Sequence, residues 1–376
     1  MTKRILVSST DLMMIQFLVP HIIYLSENGF YVEIACSNVG GRVDEIRNKL
    51  KGYAKKIHIV RLKRNSLAPI NFVGYHDMKR IINSGHFDLI WTNEPVMGVV
   101  TRLAARSTRK HGTKVMYMTH GFHFFKGAPK KNWMIFYNIE QWASRFCDVI
   151  ATINREDYQR AKKMHSPVVK YIHGIGINPD RLNRTDDYSD IRQELNLKKE
   201  DFLCISVGEL NENKNHQVVI KALGKLKDPN IHYIICGKGN QLENLKNLAK
   251  EQEIQNNIHF LGYRLDVVNI CKQADIFIFP SHREGLGVAP LEAMFCGIPL
   301  ITSKIRGPVD FMKDGKTGYL CDPDDADSFA MKIKKLKDNP QLREEMGNNN
   351  KKAVLPFLLD NSKTEVLNLV KDILEL

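Results

Sequence analysis

A chain of 376 residues, 43% hydrophobic and 26% charged, is too long for one ordinary core and too balanced for a disordered tract, so two globular domains are expected. The seven cysteines, Cys36, Cys147, Cys204, Cys236, Cys271, Cys296 and Cys321, are odd in number and never spaced as CxxC, which excludes a disulfide framework or zinc site and places the thiols in a reducing compartment. The net charge of +13 is lopsided: residues 1–178 carry 27 Lys and Arg against 12 Asp and Glu, leaving 28 against 30 for the rest, so the N-terminal half either meets an anionic partner or simply keeps the chain soluble.

The N-terminus, MTKRILVSSTD, runs from two basic residues straight into a β-branched stretch and lacks the apolar core of a signal peptide. The longest apolar run, residues 12–25, is interrupted by Gln16, Pro20 and His21 and is shorter than the ~20 residues a spanning helix needs. A cytoplasmic protein is expected. Strands are predicted at KRILVSS, YVEIACS, KKIHIV, FDLIWTN, KVMYMTH, DVIATIN and VVKYIHG. Helices are predicted at residues 15–28, 71–83, 95–109, 132–145 and 155–164. This alternation implies a parallel sheet covered on both faces, hence an α/β domain over residues 1–178. His120 closes one strand and should point, with Gly121, toward the ligand side. The segment KGAPKKNWMIFYNIEQW joins Lys126, Lys130 and Lys131 to Trp133, Met134, Phe136, Tyr137 and Trp142. It reads either as an interfacial surface for anionic lipid or as an internal helix; the helix near Met14 is a second candidate surface.

Residues 175–189, rich in Gly, Asn, Pro and Asp, read as the linker. A second α/β series follows, with strands at FLCISVG, IHYIICG, IHFLG, DIFIFPS, PLITS and GYLCD, giving a domain over residues 179–359. After Pro340 the chain is helical, broken near Pro356, and ends in an amphipathic helix whose stripe of Val366, Leu367, Val370, Ile373 and Leu374 should pack on protein. The final helix, about 360–376, is expected to cross back to the N-terminal domain. Two doubly wound domains imply a cleft, with ligands at the carboxyl ends of the strands.

The most informative segment is SHREGLGVAPLEAMFCGIPLI, from Ser281, directly after the strand DIFIFP. A glycine-bearing turn opens a helix near Val288, so backbone N–H groups of Gly285, Leu286, Gly287 and Val288 suit a diphosphate. Glu284 precedes that helix and Glu292 lies about one turn inside, so both carboxylates can border the same anion site, one on a sugar and the other on a ribose diol. In GELNENKNH a strand-end lysine, Lys214, can neutralise a leaving diphosphate. Gly237 and Gly239 in ICGKGN permit close backbone approach, and the turn Gly262-Tyr263-Arg264 offers a surface for a base. Asp322-Pro323-Asp324 spells DxD but opens a helix, where aspartates cap. His120 and His123 lack nearby acidic or thiol ligands in sequence, so no metal is expected.

Glu284 and Glu292 match the E-x7-E motif of the family 4 retaining glycosyltransferases, and the flanking PSxxEGLGxxxLEAMxxGxP matches position by position. The resemblance continues through GELNENKNH, IICGKGN, FLGYRLDV and RGPVDFMKDGKTGYL, and HGFHFFKGAPKKNW is similar to enzymes of bacterial capsular and exopolysaccharide assembly. It implies the GT-B fold, two Rossmann-like domains facing a cleft. It assigns Glu292 to the donor ribose, Glu284 to a hydroxyl of the donor sugar and Lys214 to the diphosphate, within a donor loop that includes Gly208, Glu209 and Asn213. His120 would approach the donor sugar, with His123, Lys126 and Lys130 on the acceptor side. The family usually carries an arginine where this chain has Glu209; Arg264, Lys238 or Arg306 are the cations that could replace it.

The expected reaction moves a sugar from a nucleotide diphosphate, a UDP-sugar with GDP as the other base the pattern allows, onto a lipid-linked oligosaccharide, with retention and without a metal or other cofactor. The anionic inner face of the plasma membrane is an expected contact. Two other classes compete: a GT-B epimerase or hydrolase of nucleotide sugars, which would turn over donor without acceptor, and a nucleic-acid-binding protein, for which no motif is found.

Overall fold

The computed structural model describes residues 2–39, 43–183 and 190–376. They divide into two compact units, Met1–Gly176 with Asp360–Leu376, and Ile177–Leu359. Of the expected linker, residues 184–189 lie outside the described residues. Pro179–Asn183 forms a short helix, and Ile177 bridges Leu358 as the chain enters and leaves the second unit.

Unit 1 is built on a parallel sheet of seven strands among the described residues: β1 Arg4–Asp11, β2 Tyr31–Ser37, β3 Ala54–Ile59, β4 Leu89–Asn93, β5 Lys114–Thr119, β6 Val149–Thr152 and β7 Val168–Tyr171. Their order is β3-β2-β1-β4-β5-β6-β7. The central strands are buried along their length, Leu89–Asn93 completely, because helices cover both faces. The order reverses between β1 and β4, which makes their carboxyl ends the natural ligand crevice of this unit.

The first helix, Leu12–Glu27, starts three residues earlier than its apolar periodicity suggests, because Asp11 ends β1 and accepts a hydrogen bond from the Met14 N–H, capping it. The predicted helix at 132–145 is a composite: a π-turn over Trp133–Tyr137, α-helix over Asn138–Ala143 and a 3-10 turn at Ser144–Phe146. The extra residue per π-turn divides a run of apolar residues between two faces. Trp133, Phe136 and Tyr137 pack on the core, while Met134, Ile135, Ile139 and Trp142 are exposed. One face of this segment is therefore internal, and the other is an exposed apolar face.

The terminal helix, Leu359–Leu374, buries Val366, Leu367, Leu369 and Val370. Hydrogen bonds join it to unit 1: Ser362 Oγ donates to the Gly174 carbonyl at 2.6 Å and meets His21 Nε2 at 2.9 Å, and Glu365 accepts from the His173 N–H at 2.9 Å.

Unit 2 has six parallel strands among its described residues, β8 Phe202–Val207, β9 Ile231–Cys236, β10 Ile258–Gly262, β11 Ile276–Phe279, β12 Leu300–Ser303 and β13 Gly318–Cys321, ordered β10-β9-β8-β11-β12-β13. The reversal falls between β8 and β11. Its core gathers Ile220, Tyr233, Ile278 and Phe329 with the buried faces of the helices His216–Leu226 and Ala326–Lys337.

Among the described residues, no helix is long and apolar enough to cross a membrane. The seven cysteines are all free thiols.

Candidate functional site

The loops that follow β8 and β11 meet at the reversal point of unit 2, and three asparagines explain why. Asn211 accepts from the Lys214 N–H at 3.0 Å and so closes the 3-10 turn Glu212–Lys214. Asn213 donates from Nδ2 to the Arg283 carbonyl at 3.0 Å, and its own carbonyl accepts the His282 N–H at 2.8 Å. Asn215 sits in the left-handed region at φ 52, a conformation asparagine tolerates better than most residues. Buried, it donates to the Pro280 carbonyl at 3.1 Å and the Pro323 carbonyl at 2.7 Å. The sequence NENKN thus spaces three anchors around one lysine.

Lys214 is held over this junction. Its Nζ lies 2.6 Å from Glu284 Oε1 and 5.0 Å from the centroid of Phe279. Both side chains are largely covered, with 22% and 15% exposure. Arg306, buried, donates from Nε to the Glu284 carbonyl at 2.9 Å. Two cations therefore flank the residue that opens the EGLG turn. Gly287 turns the chain at φ 94 into the helix Val288–Phe295, and a side chain there would press on the Phe279 ring.

Glu292 has a different partner. It is paired with Arg181, from the short helix after Ile177, while Glu284 is paired with Lys214, so each acid of the E-x7-E pattern has its own cation. Arg264 is held by Asp266 at 2.7 Å and Glu194 at 2.7 Å, which ties it into a local cluster, and Lys238 is exposed. Of the three cations considered as substitutes at Glu209, itself exposed, only Arg306 is bonded to the EGLG turn. Tyr263 stands 65% exposed beside the β10 turn.

Gly237 and Gly239 are packed against the chain's own backbone. A Cβ at Gly237 would lie 1.8 Å from the Gly208 carbonyl oxygen, and one at Gly239 would lie 2.2 Å from that of Leu210. Their glycine character is required to seat the β8 loop. Asp325, one residue past the DxD string, caps Ala326–Lys337 by accepting the Ser328 N–H, and Asp322 accepts the Asp324 N–H. Among the described residues no group of three or more His, Cys, Asp and Glu is placed to hold a metal ion.

In unit 1, His120 follows β5 and its Nε2 meets Asn93 Oδ1 at 3.1 Å. Burial lowers its pKa to about 4, so the ring is neutral at physiological pH. His123 packs at a tilt against Phe136, with ring centroids 4.8 Å apart, and its carbonyl accepts from Asn132 at 2.9 Å. Lys126 is bound through its backbone N–H to Glu156 at 2.7 Å, leaving its side chain exposed like that of Lys130.

One residue at the β1/β4 reversal escaped the sequence reading. Glu94 follows β4 at φ 65 and ψ 159, a region populated almost only by glycine and costing about 1–3 kcal/mol. Its carboxylate accepts from Ser9 Oγ at 2.7 Å and from the Thr10 N–H at 2.9 Å, and burial raises its pKa. The available signal was an acid wedged between a strand-end Asn93 and Pro95, since proline constrains the residue before it.

Two family models match the chain: Glycosyl transferases group 1 over residues 187–353 and Glycosyl transferase 4-like over residues 5–154. The chain is 34% identical to the glycosyltransferase EpsD of Bacillus subtilis (strain 168) over 364 residues, covering 95% of this chain and 93% of that protein. It is 24% identical to a UDP-Gal:alpha-D-GlcNAc-diphosphoundecaprenol alpha-1,3-galactosyltransferase of Escherichia coli, covering 85% of this chain and 83% of that one. Among solved structures, Anabaena HepE in complex with UDP and glucose superposes with a TM-score of 0.80 at 17% identity, covering 98% of this chain and 100% of that one. The fold is therefore GT-B, with a doubly wound parallel sheet in each unit.

Proposed function

The chain belongs to the group 1 glycosyltransferases, and on that premise we propose that it is a retaining enzyme of family 4 that moves a sugar from a UDP-sugar to a lipid-linked oligosaccharide during assembly of a capsule or exopolysaccharide repeat unit. The observation that carries this reading is the Lys214–Glu284 pair at the reversal point of unit 2, beside the N-terminus of Val288–Phe295. A diphosphate entering there meets the ammonium of Lys214, the buried guanidinium of Arg306 and the helix dipole.

In this reading Lys214 exchanges Glu284 for the diphosphate when donor binds, and Glu284, released, accepts from a hydroxyl of the donor sugar. As the glycosidic bond breaks, negative charge grows on the departing phosphate oxygen, and a preorganised cation stabilises that charge more than the ground state. The same oxygen takes the acceptor's proton, on the face it leaves, so configuration is retained without an enzymic nucleophile and no metal is required. Glu292 serves the ribose diol once Arg181 gives way. Named relatives support the donor and acceptor classes: one acts on UDP-Gal and a diphosphoundecaprenol-linked sugar, and one structure holds UDP and glucose. Unit 1, with the basic half of the chain, would meet the acceptor at the cytoplasmic face of the membrane.

The test incubates the purified protein with UDP-sugars and a lipid-diphosphate sugar acceptor and assigns the product's anomeric configuration by NMR. An axial donor giving an axial linkage supports the proposal. Inversion, or donor turnover that ignores acceptor, would replace it with an inverting transferase or a hydrolase.

A further inference from the structure

Unit 2 carries a groove of about 390 Å³ lined by the helices His216–Leu226 and Leu242–Glu251 and by the loop after β8, a size within the range of small-molecule sites. One lining side chain, His216, is only 3% exposed, and the hydrogen bonds around it locate its proton. Ser206 Oγ donates to the Ile278 carbonyl at 2.5 Å, because a carbonyl only accepts. Ser206 therefore accepts from the Tyr233 hydroxyl at 2.7 Å. The one proton of Tyr233 is committed there, so toward His216 Nδ1, 3.0 Å away, the hydroxyl can only accept, and Nδ1 carries the hydrogen. Burial lowers the pKa of this ring to about 4, so it is neutral and Nε2 is a bare lone pair. That nitrogen is buried with no hydrogen-bond partner among the described residues. A hydrogen bond from the ring to the Glu209 backbone belongs to the protonated form, since a carbonyl has no hydrogen to give. The neutral ring calls for an N–H or O–H donor.

The rest of the lining mixes donors with acceptors. Asn211 has its oxygen on the Lys214 N–H and offers an amide N–H, whereas Asn215 gives its Nδ2 to two carbonyls and offers its oxygen. Gln217, Gln241 and Asn244 add further amides. Lys221 stands against Glu212 and Glu251, which leaves one negative charge in excess and disfavours an anion. Leu245 and Leu248 supply an apolar strip. Among the described residues of the lining there is no phenyl, phenol or indole ring on which a nucleobase could stack. Hydroxyl groups both donate and accept, and a pyranose ring also has an apolar C–H face, so the complementary molecule is a neutral saccharide.

We infer that this groove is a second ligand site, which binds a neutral saccharide and sets one of its hydroxyls on His216 Nε2. Asn211 and Asn215 also anchor the loop that carries Lys214, so a saccharide held here contacts the residues on which that loop is built. The inference does not rest on the transferase reading.

The test follows the imidazole nitrogen resonances of the full-length protein, isotope-labelled at histidine, as glucose, galactose and N-acetylglucosamine are titrated in, with and without UDP. Inorganic phosphate and N-acetylglycinamide are the controls. His216 should show a protonated Nδ1 and a bare Nε2, and the Nε2 resonance should shift saturably with at least one of the sugars, whether or not UDP is present. Gln217→Leu and Asn244→Leu, both at exposed positions, should each weaken that sugar at least about fivefold and leave UDP affinity unchanged. A protonated Nε2, no shift with any of the three sugars, or equal affinity for phosphate or N-acetylglycinamide overturns the inference. So does sugar binding that both variants leave untouched, since the sugar then sits elsewhere. UDP that fails to bind while a sugar still shifts Nε2 would instead sink the transferase reading and leave this site standing.

Discussion

The Lys214 ammonium and the Glu284 carboxylate, seventy residues apart in sequence, form a 2.6 Å ion pair where the loops after β8 and β11 meet. In the proposed function, each holds the other in the position that a nucleotide diphosphate and its sugar would claim. Their energetic coupling is therefore measurable without substrate. In a double-mutant cycle, the destabilisations of Lys214→Met and Glu284→Gln should sum to more than that of the double variant, by about 0.5–3 kcal/mol of interaction free energy. Urea unfolding of the four proteins checks this, and strict additivity would show that the pair is not formed in solution.

Gly237 touches the Gly208 carbonyl so closely that a methyl group has no room. Gly237→Ala should lower stability by at least about 1–3 kcal/mol, the range for overpacking. It should also weaken UDP binding, because the β8 loop that carries Lys214 must shift. Thermal unfolding and nucleotide titration on one preparation test both parts.

Glu94 makes a contrast with ordinary positions, where glycine is the less stable residue. Because its φ of 65 favours glycine, Glu94→Gly should be more stable than Glu94→Ala by roughly 1 kcal/mol. The reverse order, measured by chemical denaturation, would mean that the backbone relaxes to negative φ.

Burial lowers the pKa of His120 and His216 to about 4, and that of His21 to about 3. In the unfolded chain these rings titrate near 6.5. Between pH 6.5 and 4 the unfolded state therefore binds more protons than the native state, and stability must rise with pH across that window. Denaturation midpoints should fall steadily from pH 7 to pH 4.5, and His120→Asn should flatten part of the slope. A midpoint independent of pH there would contradict the burial of these rings.

Arg102, fully buried, donates to Glu140 and lies 4.0 Å from the Tyr117 ring centroid. Arg102→Met leaves Glu140 a buried acid without a countercharge, held by the Tyr117 hydroxyl, and should cost about 3–5 kcal/mol, whereas Arg102→Met with Glu140→Leu should recover most of it. Equilibrium unfolding distinguishes the two.

Much of this architecture was readable from alternation alone. All thirteen predicted strands appear, because parallel strands buried on both faces are written as short apolar β-branched runs that polar helices separate. The loop residues of unit 2 were legible for a related reason: glycine, asparagine and proline mark backbone conformations that few other residues adopt. Pairing partners were not legible. Nothing local to Glu292 announces Arg181, and nothing local to Arg264 announces Glu194, since each contact depends on how helices end and loops fold back. The glycines of GKG read as an opening for a ligand; the structure adds that their Cβ positions are taken by the chain's own carbonyls. The composite helix after Lys130 was ambiguous for a physical reason, because a π-turn shifts the periodicity on which an amphipathic reading depends. Glu94 was hidden because backbone strain is a property of the fold.

The central claim is that the turn beginning at Glu284, with Lys214 opposite, grips a pyrophosphate. Calorimetric titration of UDP into the wild type and Lys214→Met tests it most directly. One UDP per chain, bound at least about tenfold more weakly by the variant, is the predicted result; a wild type that fails to bind UDP, or a variant that binds it equally well, would contradict it.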